Sequence, residues 1–96
     1  MYGIYPQVYE RLLNYFRNTP QIKKVTLFGS RAKALDSYSS DIDLCIDITG
    51  NMRGHVILDI QDLLGVYSCD ILFEDKIEGE IKNQIEKDGI VIYVQT

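Results

Sequence analysis

The sequence predicts an α+β fold in which one sheet of about four strands is covered by helices. Three observations carry this reading. Apolar residues recur now at helical and now at strand spacing, and four short β-rich runs are interleaved with helical stretches. The chain's 96 residues suffice for one hydrophobic core and not for two, so residues 1–96 read as a single domain. A composition of 46% hydrophobic and 25% charged residues is that of a globular chain, neither disordered nor membrane-embedded.

The elements follow in order. From Pro6 to Asn18 the positions Val8, Tyr9, Leu12, Leu13, Tyr15 and Phe16 repeat at helical spacing, with Pro6 suited to a first turn and Thr19-Pro20 ending the helix. Ile22, Val25, Leu27 and Phe28 mark a first strand that stops at Gly29. Ser30 to Leu35 contains good helix formers for two turns at most, and Asp36 to Ser40 is a polar loop. Asp41 to Ile48 alternates without a slip, with Ile42, Leu44, Ile46 and Ile48 on one face and Asp41, Asp43, Cys45 and Asp47 on the other. Asn51 is placed to cap a helix from Met52 to about Leu64, closed by Gly65. Val66 to Phe73 reads as a third strand. Ile77, Ile81 and Ile85 give a last helix before Asp88-Gly89, and Ile90 to Val94 a final β-branched strand.

Charge and cysteine usage exclude several classes. A net charge of −4 without any basic run argues against binding nucleic acid through its phosphates, although divalent cations could still bridge an acidic protein to a polyphosphate. Cys45 and Cys69 lie in apolar segments and read as buried reduced thiols; with the single His55 they match no zinc spacing. The amino terminus does not read as a signal peptide, which points to the cytoplasm and away from a membrane. A chain of this length hides only about 65% of its unfolded surface, so a partner subunit would add stability. Tyr2, Tyr5, Tyr9 and Tyr15 read as core and interface packing rather than a base-stacking platform.

The chemistry lies in two short motifs. In Asp41-Ile42-Asp43 the carboxylates are two strand residues apart, on one face and about 7 Å from each other along the backbone. Two such anions repel, and a divalent cation removes the conflict: Mg²⁺ takes one or two carboxylates together with phosphate oxygens and water. In Leu27-Phe28-Gly29-Ser30 an apolar strand ends in Gly-Ser where a short helix is expected to start. Gly29 leaves room for a phosphate, while Ser30 offers a hydroxyl and the free N–H groups of the first turn point at the anion. Neither G-x-G-x-x-G nor the Walker pattern occurs.

Together, Phe28-Gly29-Ser30-Arg31-Ala32 and Ser40-Asp41-Ile42-Asp43-Leu44 resemble the signature of the DNA polymerase β-like nucleotidyltransferase superfamily, and in particular its minimal nucleotidyltransferase (MNT) group. The resemblance implies a mixed sheet and two Mg²⁺ ions. It also implies transfer of AMP from ATP to an acceptor hydroxyl, a tyrosine of a helical HEPN-type partner, in an antitoxin role. It further implies a third carboxylate on the next strand, for which Asp70 is the candidate; Asp47 is the rival, about 13 Å from Asp43 along its own strand. The expected catalytic and metal-binding residues are therefore Asp41, Asp43 and Asp70, and the expected nucleotide-binding residues Gly29, Ser30 and Arg31. Lys33 is a further candidate for screening phosphate charge. One departure stands out: the family's second glycine falls at Ala34, which implies a shifted turn or a helix one residue longer. A homo-oligomer is compatible with all of this. The competing readings are a non-catalytic module that neutralises its partner by contact, and a transferase acting on a small molecule.

Overall fold

The computed structural model describes residues 1–34 and 40–96. Helix α1 spans Pro6–Arg17, strand β1 Ile22–Phe28, strand β2 Ile42–Ile48 and helix α2 Arg53–Leu64. Strand β3 (Cys69–Phe73) leads through a 3₁₀ turn at Glu74–Lys76 into helix α3 (Gly79–Asp88) and strand β4 (Ile90–Val94). The strands form a mixed sheet in the order β3-β2-β1-β4. Strand β1 runs antiparallel to both β2 and β4, and β2 and β3 run parallel, joined by α2 as the crossover.

The unbroken alternation of β2 does what the sequence requires. Ile42, Leu44 and Ile46 are fully buried, and with Val25 and Leu27 of β1 they meet Leu12 and Phe16 of α1 and Val56, Ile60 and Leu64 of α2. The Tyr15 hydroxyl donates to Asp59 Oδ2 at 2.7 Å and pins α1 to α2. Burial, then that hydrogen bond, pushes the phenol up to about 12, so it stays a donor throughout the neutral range. The opposite sheet face is only partly covered, by α3, whose one buried side chain is Ile85. Among the described residues no helix is long and apolar enough to cross a membrane.

Three local expectations are corrected. Ser30 to Ala34 is a turn and not a regular helix: the Lys33 N–H is shared between the Gly29 and Ser30 carbonyls at 3.3 and 3.2 Å, and Ala34 sits at φ +59°. A left-handed residue stops helix propagation, so Ser30 caps no helix; Leu35 and residues 36–39 of the expected loop lie outside the described residues. Ala34 thus adopts a positive φ that favours glycine. Second, α2 begins after Met52 without a side-chain cap, so Asn51 does not act as one. Third, β3 starts at Cys69 and not at Val66. Gly65 turns the chain at φ +61°, the Tyr67 N–H bonds back to the Leu64 carbonyl at 3.2 Å, and Val66 is left 94% exposed.

Because Ala34 holds a conformation that disfavours a side chain, Ala34→Gly should stabilise the protein by up to about 1 kcal/mol. Urea denaturation measures this directly, and a destabilised variant would show that the turn does not need that conformation.

Candidate active site

Antiparallel pairing of β1 with β2 sets Phe28 opposite Asp43, so the turn that begins at Gly29 emerges directly over that carboxylate. A Cβ on Gly29 would fall 2.2 Å from Asp43 Oδ2, and Gly29 holds φ +76°. Glycine is therefore required twice, by the backbone conformation and by the close approach. Parallel pairing of β2 with β3 places Asp70 in register with Asp43. Asp41 lies just before β2, whose first residue donates its N–H to the Ser68 carbonyl at 2.9 Å. Asp41 and Asp70 are exposed and Asp43 is half-buried, so one sheet end presents three acids with Asp43 the innermost.

Electrostatics agree with this placement. Burial pushes the Asp43 carboxyl up from the ordinary carboxylate range, the charges of Asp70 and then Asp41 push it further, and Arg31 pulls it part of the way back. Asp47, the sequence rival of Asp70, instead pairs in register with Lys24, away from this end of the sheet.

Arg31 stands differently from the exposed phosphate contact expected of it. It is 1% exposed, its Nη1 donates to the Tyr2 carbonyl at 2.9 Å and its Nη2 to the Ser40 carbonyl at 2.8 Å. Its guanidinium lies 5.4 Å from the centre of the Tyr67 ring, and Nε makes no hydrogen bond among the described residues. The Tyr67 hydroxyl accepts from the Tyr5 N–H at 3.1 Å. Arg31 therefore ties the amino-terminal segment, the turn after Gly29 and the approach to β2 together. Lys33 pairs with Asp88 at the end of α3, 3.7 Å away. Tyr2, Tyr67 and the Ser40 carbonyl, which hold Arg31, were not singled out as site residues; their part depends on contacts between distant segments and leaves no local signal.

Among the described residues no three His, Cys, Asp or Glu side chains form a ready-made cage for a metal ion. The donor set still suits Mg²⁺: the oxygens are hard, two of the three acids are open to water and phosphate, and the repulsion that raises Asp43 is what a cation would relieve.

A fold of this topology with an acidic strand end beside a Gly-Ser turn is that of a nucleotidyltransferase, and the chain belongs to that family. The family model described as "Polymerase beta, Nucleotidyltransferase" matches residues 10–96. Among solved structures the chain is similar to one in a toxin–antitoxin pair with AMP-PNP, at 19% identity and a TM-score of 0.69, covering 93% of this chain and 73% of that one. It is also similar to a chain in a complex of tri-AMPylated Shewanella oneidensis HEPN toxin with MNT antitoxin, at 16% identity and a TM-score of 0.67, covering 93% and 71%. A third likeness is to a chain of a mutant MntA–HpeT toxin–antitoxin pair, at 15% identity and a TM-score of 0.71, covering 90% and 73%. At these identities the likeness is one of fold. No curated protein matches the chain.

The raised Asp43 carboxyl gives a stability test. A group that binds its proton more tightly when folded lowers stability as pH rises from its unfolded value through its folded one, and the loss persists above. In metal-free buffer Asp43→Asn should therefore be more stable than the parent at pH 7, with the gap closing towards pH 3. Denaturant titrations at both pH values measure it; an Asn variant that is weaker at pH 7 would mean that Asp43 is held by attraction and not strained by repulsion.

Proposed function

We propose that the chain is a Mg²⁺-dependent nucleotidyltransferase that moves AMP from ATP to an acceptor hydroxyl, a tyrosine of a HEPN-type partner, and so acts as its antitoxin. The observation that carries this reading is the register of Asp43 with Asp70 beside a turn that only glycine can make. The solved neighbours support its direction, since one contains AMP-PNP and another an AMPylated HEPN toxin with an MNT antitoxin.

In this reading the backbone amides after Gly29 and the Ser30 hydroxyl hold the terminal phosphates, where the missing Cβ lets an anion approach. Asp41, Asp43 and Asp70 are the residues that would hold Mg²⁺, which when bound supplies neutralisation of the charge on the triphosphate and its leaving pyrophosphate. Asp70, exposed on the outer strand, takes the proton of the acceptor hydroxyl as its oxygen bonds to the α-phosphorus and the bond to pyrophosphate breaks. A tyrosine hydroxyl, with a pKa near 10, needs such a base at neutral pH. Arg31 acts through Asp43 and the turn, keeping both in place without touching phosphate.

Two measurements test the assignment. Asn at position 41 or 43 should abolish the Mg²⁺-linked part of ATP binding in calorimetry, whereas Ser30→Ala should weaken ATP by only about 1 kcal/mol, the scale of one hydrogen bond shared with amides. Asp70→Asn should keep ATP bound and stop the partner from gaining mass in AMP units. A partner protected equally by wild-type and Asp70→Asn protein, with no adduct in either case, would leave a contact-only antitoxin.

A further inference from the structure

A buried cation is a costly way to close a turn. Arg31 is 1% exposed, and among the described residues no carboxylate lies within ion-pair distance of it. Exchanging buried ionic groups for apolar ones of similar volume is often neutral or stabilising, so what Arg31 brings is sought in geometry. Two further costs gather around it. Its Nε has no hydrogen-bond partner among the described residues. Tyr2, whose carbonyl accepts from Nη1, holds φ +55°, a conformation that bulky residues rarely adopt. Strain of this kind persists where the surroundings over-determine one arrangement, and it collects at functional sites.

What the cluster fixes follows from the sheet order. Arg31 lies three residues after β1 and Tyr67 two residues before β3, and β2 stands between those strands. Strands β1 and β3 are therefore about 10 Å apart. The contact of the Arg31 guanidinium with the Tyr67 ring, 5.4 Å to its centre, bridges them across the end of β2 that carries Asp41 and Asp43. The Ser40 carbonyl, 2.8 Å from Nη2, holds the residue before Asp41 to the same group. Tyr67 is in turn fixed on its own side. Its hydroxyl accepts from the Tyr5 N–H at 3.1 Å, its ring meets the Tyr5 ring edge-on at 6.3 Å, and its N–H donates to the Leu64 carbonyl at 3.2 Å. Asp70 follows three residues later.

The ring is the part of this cluster that a guanidinium selects. A flat cation held away from water gains from the electron-rich face of an aromatic ring, whereas an aliphatic side chain offers it only contact. Resting on the nucleotidyltransferase reading above, we infer that Tyr67 is a positioning residue of the active site, whose ring, through Arg31, holds the turn after Gly29 at a fixed spacing from the Asp70 strand. It acts on the nucleotide only through Arg31. In that reading the amides of the turn and the Ser30 hydroxyl receive the terminal phosphates, and donors already set in place bind an anion without the entropy loss of ordering them. With the ring gone, the turn samples other arrangements and its hold on the triphosphate weakens.

Calorimetry with ATP and Mg²⁺, run well below the unfolding midpoint of every variant, tests this. Tyr67→Leu removes the ring and should lower ATP affinity at least about fivefold, the scale of one cation–π contact. Tyr67→Phe keeps the face over Arg31, loses only the acceptor for the Tyr5 N–H, and should stay within about twofold of wild type. If Tyr67→Leu does not fold, Tyr67→Met fills a similar space without a π face and carries the same expectation. A purely structural role would lower the unfolding midpoint and leave the affinity of the folded protein alone, so affinity decides. Wild-type ATP affinity in Tyr67→Leu, or a Tyr67→Phe protein as weak as Tyr67→Leu, would overturn the positioning role and leave the phosphate site standing. A wild-type protein that does not bind ATP with Mg²⁺ would overturn the nucleotidyltransferase reading, and this inference with it.

Discussion

The contact between Gly29 and the Asp43 carboxylate is the constraint on which the site is built. The two motifs are separated in sequence, but the pairing of Phe28 with Asp43 makes them one object. Because a side chain at position 29 would overlap Oδ2, the turn lies flush against the acid, and anything held by the turn's amides is held next to that carboxylate. The arrangement has two costs, a glycine at positive φ and a desolvated acid among like charges. Both are typical of a place shaped for a ligand more than for stability.

Arg31 makes those costs bearable. A buried guanidinium left alone would be destabilising by several kcal/mol, and here it is answered by two carbonyls, an aromatic face and the field of Asp43. Its partners come from the amino-terminal segment, from Ser40 and from the loop before β3. The cation therefore joins three stretches that share no secondary structure, and it fixes where the chain re-enters the sheet before Asp41. The same burial gives Arg31 a scaffolding part at this end of the sheet.

How much of this was legible in the sequence follows from how local each cause is. The alternation of Asp41 to Ile48 revealed β2 and its faces because period-two patterning is a property of neighbouring residues. The likeness of the two motifs to a known signature pointed to Asp70, and register then put it opposite Asp43. Asn51 misled because capping depends on where the first helical hydrogen bond closes, and here the Val56 N–H reaches Met52. Arg31 was hidden more deeply: nothing in Gly29 to Ala32 shows that a carbonyl from residue 2 and a ring from residue 67 will enclose it. The loose seating of α3 was invisible for the same reason. The Ile77, Ile81, Ile85 stripe promises a well-seated helix, but only Ile85 is buried and Ile81 stays 42% exposed.

One consequence of the strand order concerns the chain in concentrated solution. Strand β4 is an edge, and Ile90–Val94 contains no charge and no proline, with Val91 and Val94 half-exposed. Edges of this kind offer unpaired amides and carbonyls to any passing extended segment, and proteins usually blunt them with lysine, proline or a cover. At neutral pH a net charge of −4 opposes such an approach by a second copy. That repulsion fades near the isoelectric point of about 4.8, where strand-to-strand association has least to oppose it. The acidity that first argued against a nucleic-acid footprint therefore also guards an otherwise open β-edge, and mildly acid buffers are where that guard is lost.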